Sequence, residues 1–421
     1  MYKPEEPALT AGALPHGRWS FAWRSVTLNV WYLGLTSLLT DVSSEMVASV
    51  LPIYLVVHLK LSPFAFGALD GLYNGVGAVT RWMSGVIADH RGRHKQVALA
   101  GYGISAACRL GLLAAGRAWT PLAAMIVLDR LGKGIRTAPR DALISLSTPS
   151  RDLAGAFGVH RAMDATGAML GPVVAFLLIR LVPGRFDVVF VVSFSLAVVG
   201  LAVLAFFVEG VAGERSSEPA PWRASLRSAI ALLRRHDFRT IVISASILAL
   251  LTISDAFIYL VLMDRLRFSV GLFPLLAVGT AAAYLILAVP MGAVADQFGR
   301  SRVFLAGHGA LLAVYGLLIV PSTYASTALA SVVCLGAYYA STDGVLAALA
   351  SAVLPATSRG SGLALLTTAT SLARVLSSVA FGWLWTVWGQ ERAIIGVGLA
   401  LFLGIAVARG TLGRSGLQAH D

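Results

Sequence analysis

The chain has 421 residues, 57% of them hydrophobic and only 13% charged. Soluble domains carry about 25% charged residues, so this composition excludes an ordinary soluble protein. The net charge of +12 would point to nucleic acid in a soluble domain, but here the basic residues stand mostly in the joints between apolar runs, as in cytoplasmic loops, and no nucleic acid is expected.

Residues 1–25 form a polar leader with Lys3, Arg18 and Arg24. It lacks a basic start and a cleavage site, so no signal peptide is expected. Apolar runs of about 20 residues, enough to cross a hydrocarbon core of about 30 Å, follow at 28–57, 64–87, 97–116, 120–142, 153–180 and 187–208. The first exceeds what a bilayer needs and is expected to tilt or bend near Pro52. A polar stretch at 209–238 then leads into an arginine-rich amphipathic segment, Trp222 to Arg239, suited to the membrane surface. Six further spans follow at 240–263, 272–294, 303–321, 326–353, 358–386 and 393–409. The expectation is an all-α polytopic membrane protein of 12 transmembrane helices. Its units are 1–210, a linker at 211–238, and 239–421. Twelve spans place both termini on one side, and the densest basic loops fall on that side, which marks it as cytoplasmic. Cys108 and Cys334 lie inside apolar runs and read as buried small side chains.

Between the second and third spans stands Gly85-Val-Ile-Ala-Asp89-His-Arg-Gly92-Arg93-His-Lys95. It returns as Gly292-Ala-Val-Ala-Asp296-Gln-Phe-Gly299-Arg300-Ser-Arg302, offset by about half the chain. Gly155 and Gly362 repeat at the same offset. A doubled charged turn between apolar segments describes two parallel repeats. This resembles the signature loop of the major facilitator superfamily (MFS) of secondary transporters, and the resemblance runs from end to end. It implies two six-helix bundles related by a pseudo-two-fold axis. It further implies that Asp89 faces the N-terminus of the eleventh helix, and that Arg93 engages an acid at the cytoplasmic end of the fourth, where Asp141 stands. Such contacts would lock the halves while the cavity faces outward. His90 departs from the basic residue common in the family after the Asp.

Several charges fall inside spans. Asp41 and Glu45, four apart, share a helix face about 6 Å apart along the axis. Asp41 lies about 20 Å into its span, near the midplane. Two carboxylates so close in a low dielectric cannot both ionise cheaply, so one is expected to take up and release a proton. Asp255, after Ser254, sits at a depth in the second half like that of Asp41, after Thr40, in the first. Asp70, near the outer end of its helix, reads as structural. The fourth span reads Leu128-Asp129-Arg130-Leu131-Gly132-Lys133-Gly134-Ile135-Arg136, similar to the superfamily's fourth-helix motif, with Arg130 in the arginine's place. At about 15 Å depth a guanidinium needs a carboxylate or a watery cavity. Because the superfamily sets the first and fourth helices around one cavity, Asp41 and Glu45 are the expected partners. Asp129 points about 100° away and is expected to pair with Lys133. Lys133, Arg136 and Arg140 make a stripe, read either as a snorkelling, lipid-facing end or as a vestibule for an anionic substrate.

On the fifth span Arg161 and Asp164, three apart, form an internal salt bridge or a cavity-lining pair. Gly167-x-x-x-Gly171-Pro172 follows; its small residues allow close helix packing and its proline a bend. The resemblance links this motif to antiporters, although Phe176 and Leu177 stand where further glycine is usual. Asp343 and Arg374 either pair with each other or touch substrate. No Gly-x-Gly-Asp, His-Glu-x-x-His or nucleotide-binding loop is present, so neither an enzyme nor an ATP-driven pump is expected, and no cofactor or metal. The sequence thus leads to a monomeric multi-pass protein of the cell (inner) membrane, touching lipids, protons and a small-molecule substrate. It is expected to be a proton-coupled antiporter exporting that molecule by rocker-switch alternating access; a proton symporter importing a metabolite is the alternative.

Overall fold

The structure is a computed structural model that describes residues 26–89, 94–149, 152–210, 230–320, 325–355 and 358–414; for 77–89, 154 and 413–414 the description is of the backbone alone. The leader, most of the linker, and Gly92 and Arg93 of the first signature loop therefore lie outside the described residues, as do the side chains of Gly85 and Asp89. Thirteen long helices make up the described chain, with no strand among the described residues. The first six are α1 (Leu28–Ile53), α2 (Pro63–Asp89), α3 (His94–Ala115), α4 (Trp119–Leu146), α5 (Leu153–Leu181) and α6 (Phe186–Phe206). The seventh span is split into α7 (His236–Leu250) and α8 (Asp255–Leu266), and spans eight to twelve are α9 (Phe273–Phe298), α10 (Arg300–Ile319), α11 (Ala325–Val353), α12 (Arg359–Trp388) and α13 (Gln390–Arg414).

Ten of these twelve spans are long and apolar enough to cross a membrane by length and composition; α2 and α4 are the others. In α4 the cause is plain, since Asp129, Arg130, Lys133, Arg136, Arg140 and Asp141 fall within thirteen residues of one helix. Such a helix is tolerated in a bilayer only where its charged face is buried against protein or water. Pro52 inside α1 is followed at once by a π-helical turn, Tyr54–His58. Its lost backbone donor thus loosens the helix rather than ending it.

The two halves repeat one packing scheme. In the first, α1 packs on α5 and α6, α4 on α2 and α3, and α3 on α6. In the second, the seventh span packs on the eleventh and twelfth, the tenth on the eighth and ninth, and the ninth on the twelfth. Adding six to each span number of the first set gives the second, which is the pseudo-two-fold relation of two six-helix bundles. The joints between the bundles obey the same rule: α2 meets α12, and α5 meets α9.

The α2–α12 joint closes the end of the molecule away from the termini. A Cβ on Gly67 would lie 2.5 Å from the Ser378 carbonyl oxygen and 3.2 Å from the Gly382 Cα. The backbone N–H of Phe64 donates to the Thr386 hydroxyl at 3.1 Å, and Phe66, Phe257, Phe381 and Trp385 stack edge to face across the seam. Only glycine lets the two backbones approach this closely. Gly67→Val is therefore expected to open the seam, since overpacking costs about 1–3 kcal/mol. A Cys pair at 64 and 386 reports it: disulfide formation should be efficient with Gly67 and fall severalfold with Val.

Candidate functional site

The site grows from the polar face of α1. Along an otherwise apolar helix, Thr36, Ser37, Thr40, Asp41, Ser43 and Ser44 are all buried. Groups of this kind survive in hydrocarbon only when hydrogen-bonded within the protein. Thr40 donates back to the Thr36 and Ser37 carbonyls, Ser43 pairs with Ser193 of α6, and the Thr36 hydroxyl has no partner among the described residues. Ser37, Asp41 and Ser44 are engaged by charged groups, which form three clusters along α4.

In the first cluster Asp129 holds two arginines. Arg109 of α3 donates through Nη1 to Asp129 Oδ1 at 2.6 Å and through Nη2 to the Ser44 hydroxyl at 2.8 Å. Arg130 donates from Nε to Asp129 Oδ2 at 3.0 Å, with a second bond from Nη2 to the same oxygen. The Arg130 guanidinium lies 3.9 Å over the ring of Tyr73, a favourable cation–π placement. Two expectations are corrected here. Arg130 pairs with Asp129 rather than with Asp41 or Glu45, and Asp129 does not pair with Lys133. The 100° between successive residues separates their Cβ atoms, but an arginine stem is long enough to fold its fork back onto the neighbouring carboxylate. Arg109 takes the other carboxylate oxygen from α3, which leaves the trio one positive charge in excess.

The second cluster surrounds Asp41. Its Oδ1 stands 3.5 Å from Arg136 Nη2, and the Arg136 guanidinium lies 4.4 Å over Tyr102. Asp164 of α5 lines the same chamber as Asp41, so two carboxyls from α1 and α5 share one pocket. Asp164 Oδ1 also accepts from the Ser37 hydroxyl at 2.7 Å and lies 3.6 Å from Arg140 Nη1. Arg140 in turn donates to Ser37 and to Asp141. Asp164 thus pairs with α1 and α4 instead of with Arg161. Asp141 is held by Arg140; its expected partner Arg93 is outside the described residues. In the third cluster Lys133 Nζ lies 3.6 Å from Glu45 Oε1, both side chains partly exposed.

The glycine motif of α5 makes this crowding possible. A Cβ on Gly167 would meet the Leu38 carbonyl at 2.5 Å and Asp41 Cβ at 3.2 Å; one on Gly171 would meet Glu45 Cβ at 2.7 Å. The α5 backbone therefore rides directly on the α1 turns that bear the two acids, with Pro172 inside the helix just beyond.

Two chambers adjoin these clusters and share Tyr73 and Asn74. One, of about 340 Å³, is lined by Asp41, Arg130, Lys133, Arg136, Arg140, Arg161 and Asp164 among others. The other, of about 250 Å³, lies between the bundles beneath the closed seam; Glu45, Asp70, Asp255, Tyr339 and Arg374 face it amid Phe66, Leu69, Ile126 and Phe273. Asp255 Oδ1 accepts from the Tyr339 hydroxyl at 2.7 Å. Arg374 reaches the Tyr338 hydroxyl at 3.5 Å and has no carboxylate within 4.0 Å among the described residues, so it forms no contact pair with Asp343. Asp70 Oδ2 accepts from the Ser378 hydroxyl of α12 at 2.7 Å. This acid, read as structural from sequence, joins the two bundles and lines the central chamber.

The second signature loop is a tight turn in which Gly299, at φ +97°, separates α9 from α10. Asp296 pairs with Arg300 of its own loop at 3.0 Å, exposed, and Gly292 has open space around it. Sequence reading passed over Arg109, Tyr73 and Tyr102. Arg109 had a signal, a lone cation in the middle of the third apolar run; the tyrosines had none beyond their type.

Two matched six-helix bundles, sealed at one end over chambers lined with buried charge, define a secondary membrane transporter. The Major Facilitator Superfamily family model matches residues 33–277 and 252–416. The chain belongs to that superfamily. It is 28% identical over 393 residues to an uncharacterized MFS-type transporter of Methanocaldococcus jannaschii, covering 91% of this chain and 94% of that one. Among solved structures it is similar to a point mutant of the nucleoside transporter NupG, with a TM-score of 0.76 at 13% identity, covering 93% of this chain and 99% of that one. It is also similar to a bacterial homolog of the human lysosomal transporter Spinster in an inward-facing, unoccupied conformation, with a TM-score of 0.69 at 14% identity, covering 94% and 99%.

Proposed function

We propose that this chain is a proton-coupled antiporter of the inner membrane that exports a small molecule by rocker-switch alternating access. The observation that carries the proton coupling is that Asp41 of α1 and Asp164 of α5 line one chamber, with Arg136 beside the first and Arg140 beside the second. Loss of a proton from either carboxyl leaves an added anion that draws the arginines of α4 inward, which changes the packing of α4 against α1 and α5. The halves that rock are residues 1–210 and 239–421, joined by 211–238, working as a monomer with both termini in the cytoplasm. The dense basic loops on the terminal side support that orientation. With it, the sealed α2–α12 seam faces outward and the chambers face the cytoplasm.

The close ride of Gly167 and Gly171 on α1 supports antiport through its likeness to the antiporter motif. One observation favours the second reading, proton symport. Arg136 is shared between Asp41 and the open chamber, so an anion on Arg136 and a proton on Asp41 would assist each other. Right-side-out and everted vesicles with an imposed pH gradient separate the two, using a panel of antibiotics, siderophores, sugars and organic acids. Antiport is expected to drive solute against the proton flow, with the pH gradient collapsing on solute addition. Movement of solute with the protons selects symport, and movement indifferent to the gradient rejects proton coupling.

A further inference from the structure

The larger chamber is lined by five cations, Arg130, Lys133, Arg136, Arg140 and Arg161, and by only two carboxylates, Asp41 and Asp164. Three of the cations are engaged: Arg130 by Asp129, Arg136 by Asp41 and the Tyr102 ring, Arg140 by Asp141 and Asp164. Lys133 and Arg161 differ. The Lys133 side chain is 38% exposed, far more open than the other three, and its partner Glu45, at 3.6 Å, lies outside the chamber's lining. Arg161 is exposed to the chamber from the opposite wall, on α5, and no carboxylate lies within 4.0 Å of it among the described residues. Adding the groups just behind the lining, Arg109, Glu45, Asp129 and Asp141, gives six cations against five acids. Uncompensated positive charge at membrane depth is costly and draws a counter-anion.

We propose that the transported molecule is an amphipathic organic anion, whose carboxylate or phosphonate-like group seats between Lys133 and Arg161. Its apolar body enters the adjoining chamber past Tyr73, against Ile126, Leu69 and Phe66. Asp70 and Asp255 line that chamber together with Arg374 and offset its charge, so the excess of cations lies on the α4 and α5 side, where the head seats. The inference rests on the reading of these chambers as the transport pathway, and it holds for either direction of proton flow. It also weighs on that choice: an anion bound here and a proton on Asp41 stabilise one another, which is the linkage of a symporter.

Four probes with one phenyl body decide the charge class on the full-length wild-type protein in detergent: phenylacetate, phenylphosphonate, 2-phenylethanol and 2-phenylethylamine. The two anions are expected to raise the thermal unfolding temperature in a saturable way, the alcohol and the amine to leave it unchanged. In Arg161→Gln and Lys133→Gln the apparent dissociation constant for phenylacetate should rise tenfold or more, with partial recovery in Arg161→Lys. Arg161 is exposed, so its replacement spares the packing. Stabilisation by the amine alone, by all four equally, or by neither anion overturns the proposal, as does unchanged phenylacetate binding in both variants. The measurement needs no gradient, so a failure of proton coupling in vesicles and a failure of anion binding are separate results.

Discussion

Asp41→Asn is expected to abolish the dependence of transport on a pH gradient while the protein still reaches the membrane. The amide keeps the size and hydrogen-bonding reach of the carboxyl, but it carries no exchangeable charge. Coupling free energies between a proton and a solute commonly amount to about 1–3 kcal/mol, or about 5–150-fold in affinity, and gradient-driven uptake should fall by that order. Counterflow without a gradient should persist, because the rocking of the bundles itself does not need the proton. Glu45→Gln bears on a different contact, the 3.6 Å pair with Lys133, and should loosen solute binding more than coupling. Gradient dependence retained in both variants would reject this assignment of the proton site.

Asp129→Ala should have the largest effect on stability. Asp129 is 3% exposed and is the shared anion of Arg109, 2% exposed, on the adjacent helix and of Arg130, 7% exposed, on its own. Removing one partner of a buried pair leaves an uncompensated charge and costs about 3–5 kcal/mol; here two guanidinium groups lose their anion at once. The variant is expected to lose most of its yield of monodisperse protein from detergent, with a marked drop in unfolding temperature for what survives. Ser44→Ala, which removes only the neutral partner of Arg109, should cost about 1 kcal/mol. A wild-type unfolding temperature for Asp129→Ala would show that the triad contributes nothing to the α3–α4 contact.

The fold was legible because its causes are local and repeated. Apolar runs of membrane length give the spans, and the doubled loop gives the two-bundle plan. The site was legible in its cast and less so in its pairings. Asp41, Glu45, Arg130, Asp164 and Arg374 all face the chambers or their walls, as intramembrane charge would suggest. Their partners depend on how far a long side chain bends and on which helix brings the opposing charge, and spacing along one helix carries neither. Arg130 turned back on its own neighbour, and Asp164 was taken by Ser37 and Arg140 from α1 and α4. Asp70 does hold helices together, as a structural acid would, but its partner is a hydroxyl of the other bundle rather than a buried arginine. Its depth alone suggested the membrane edge, whereas its acceptor role toward Ser378 exists only because two bundles meet there.

The cut in the seventh span makes that span depend on its neighbours. Between α7 and α8 the backbone leaves helical pairing, and side chains from elsewhere take up its polar groups: the Tyr315 hydroxyl accepts from the Ile253 N–H and donates to the Leu251 carbonyl, and Ser377 donates to the Thr252 carbonyl. Hydrocarbon offers no such partners, so this articulated stretch holds together only while α10 and α12 brace it. A substitution that shifts α10 or α12 therefore reaches the middle of the seventh span directly, through three hydrogen bonds that no lipid could replace.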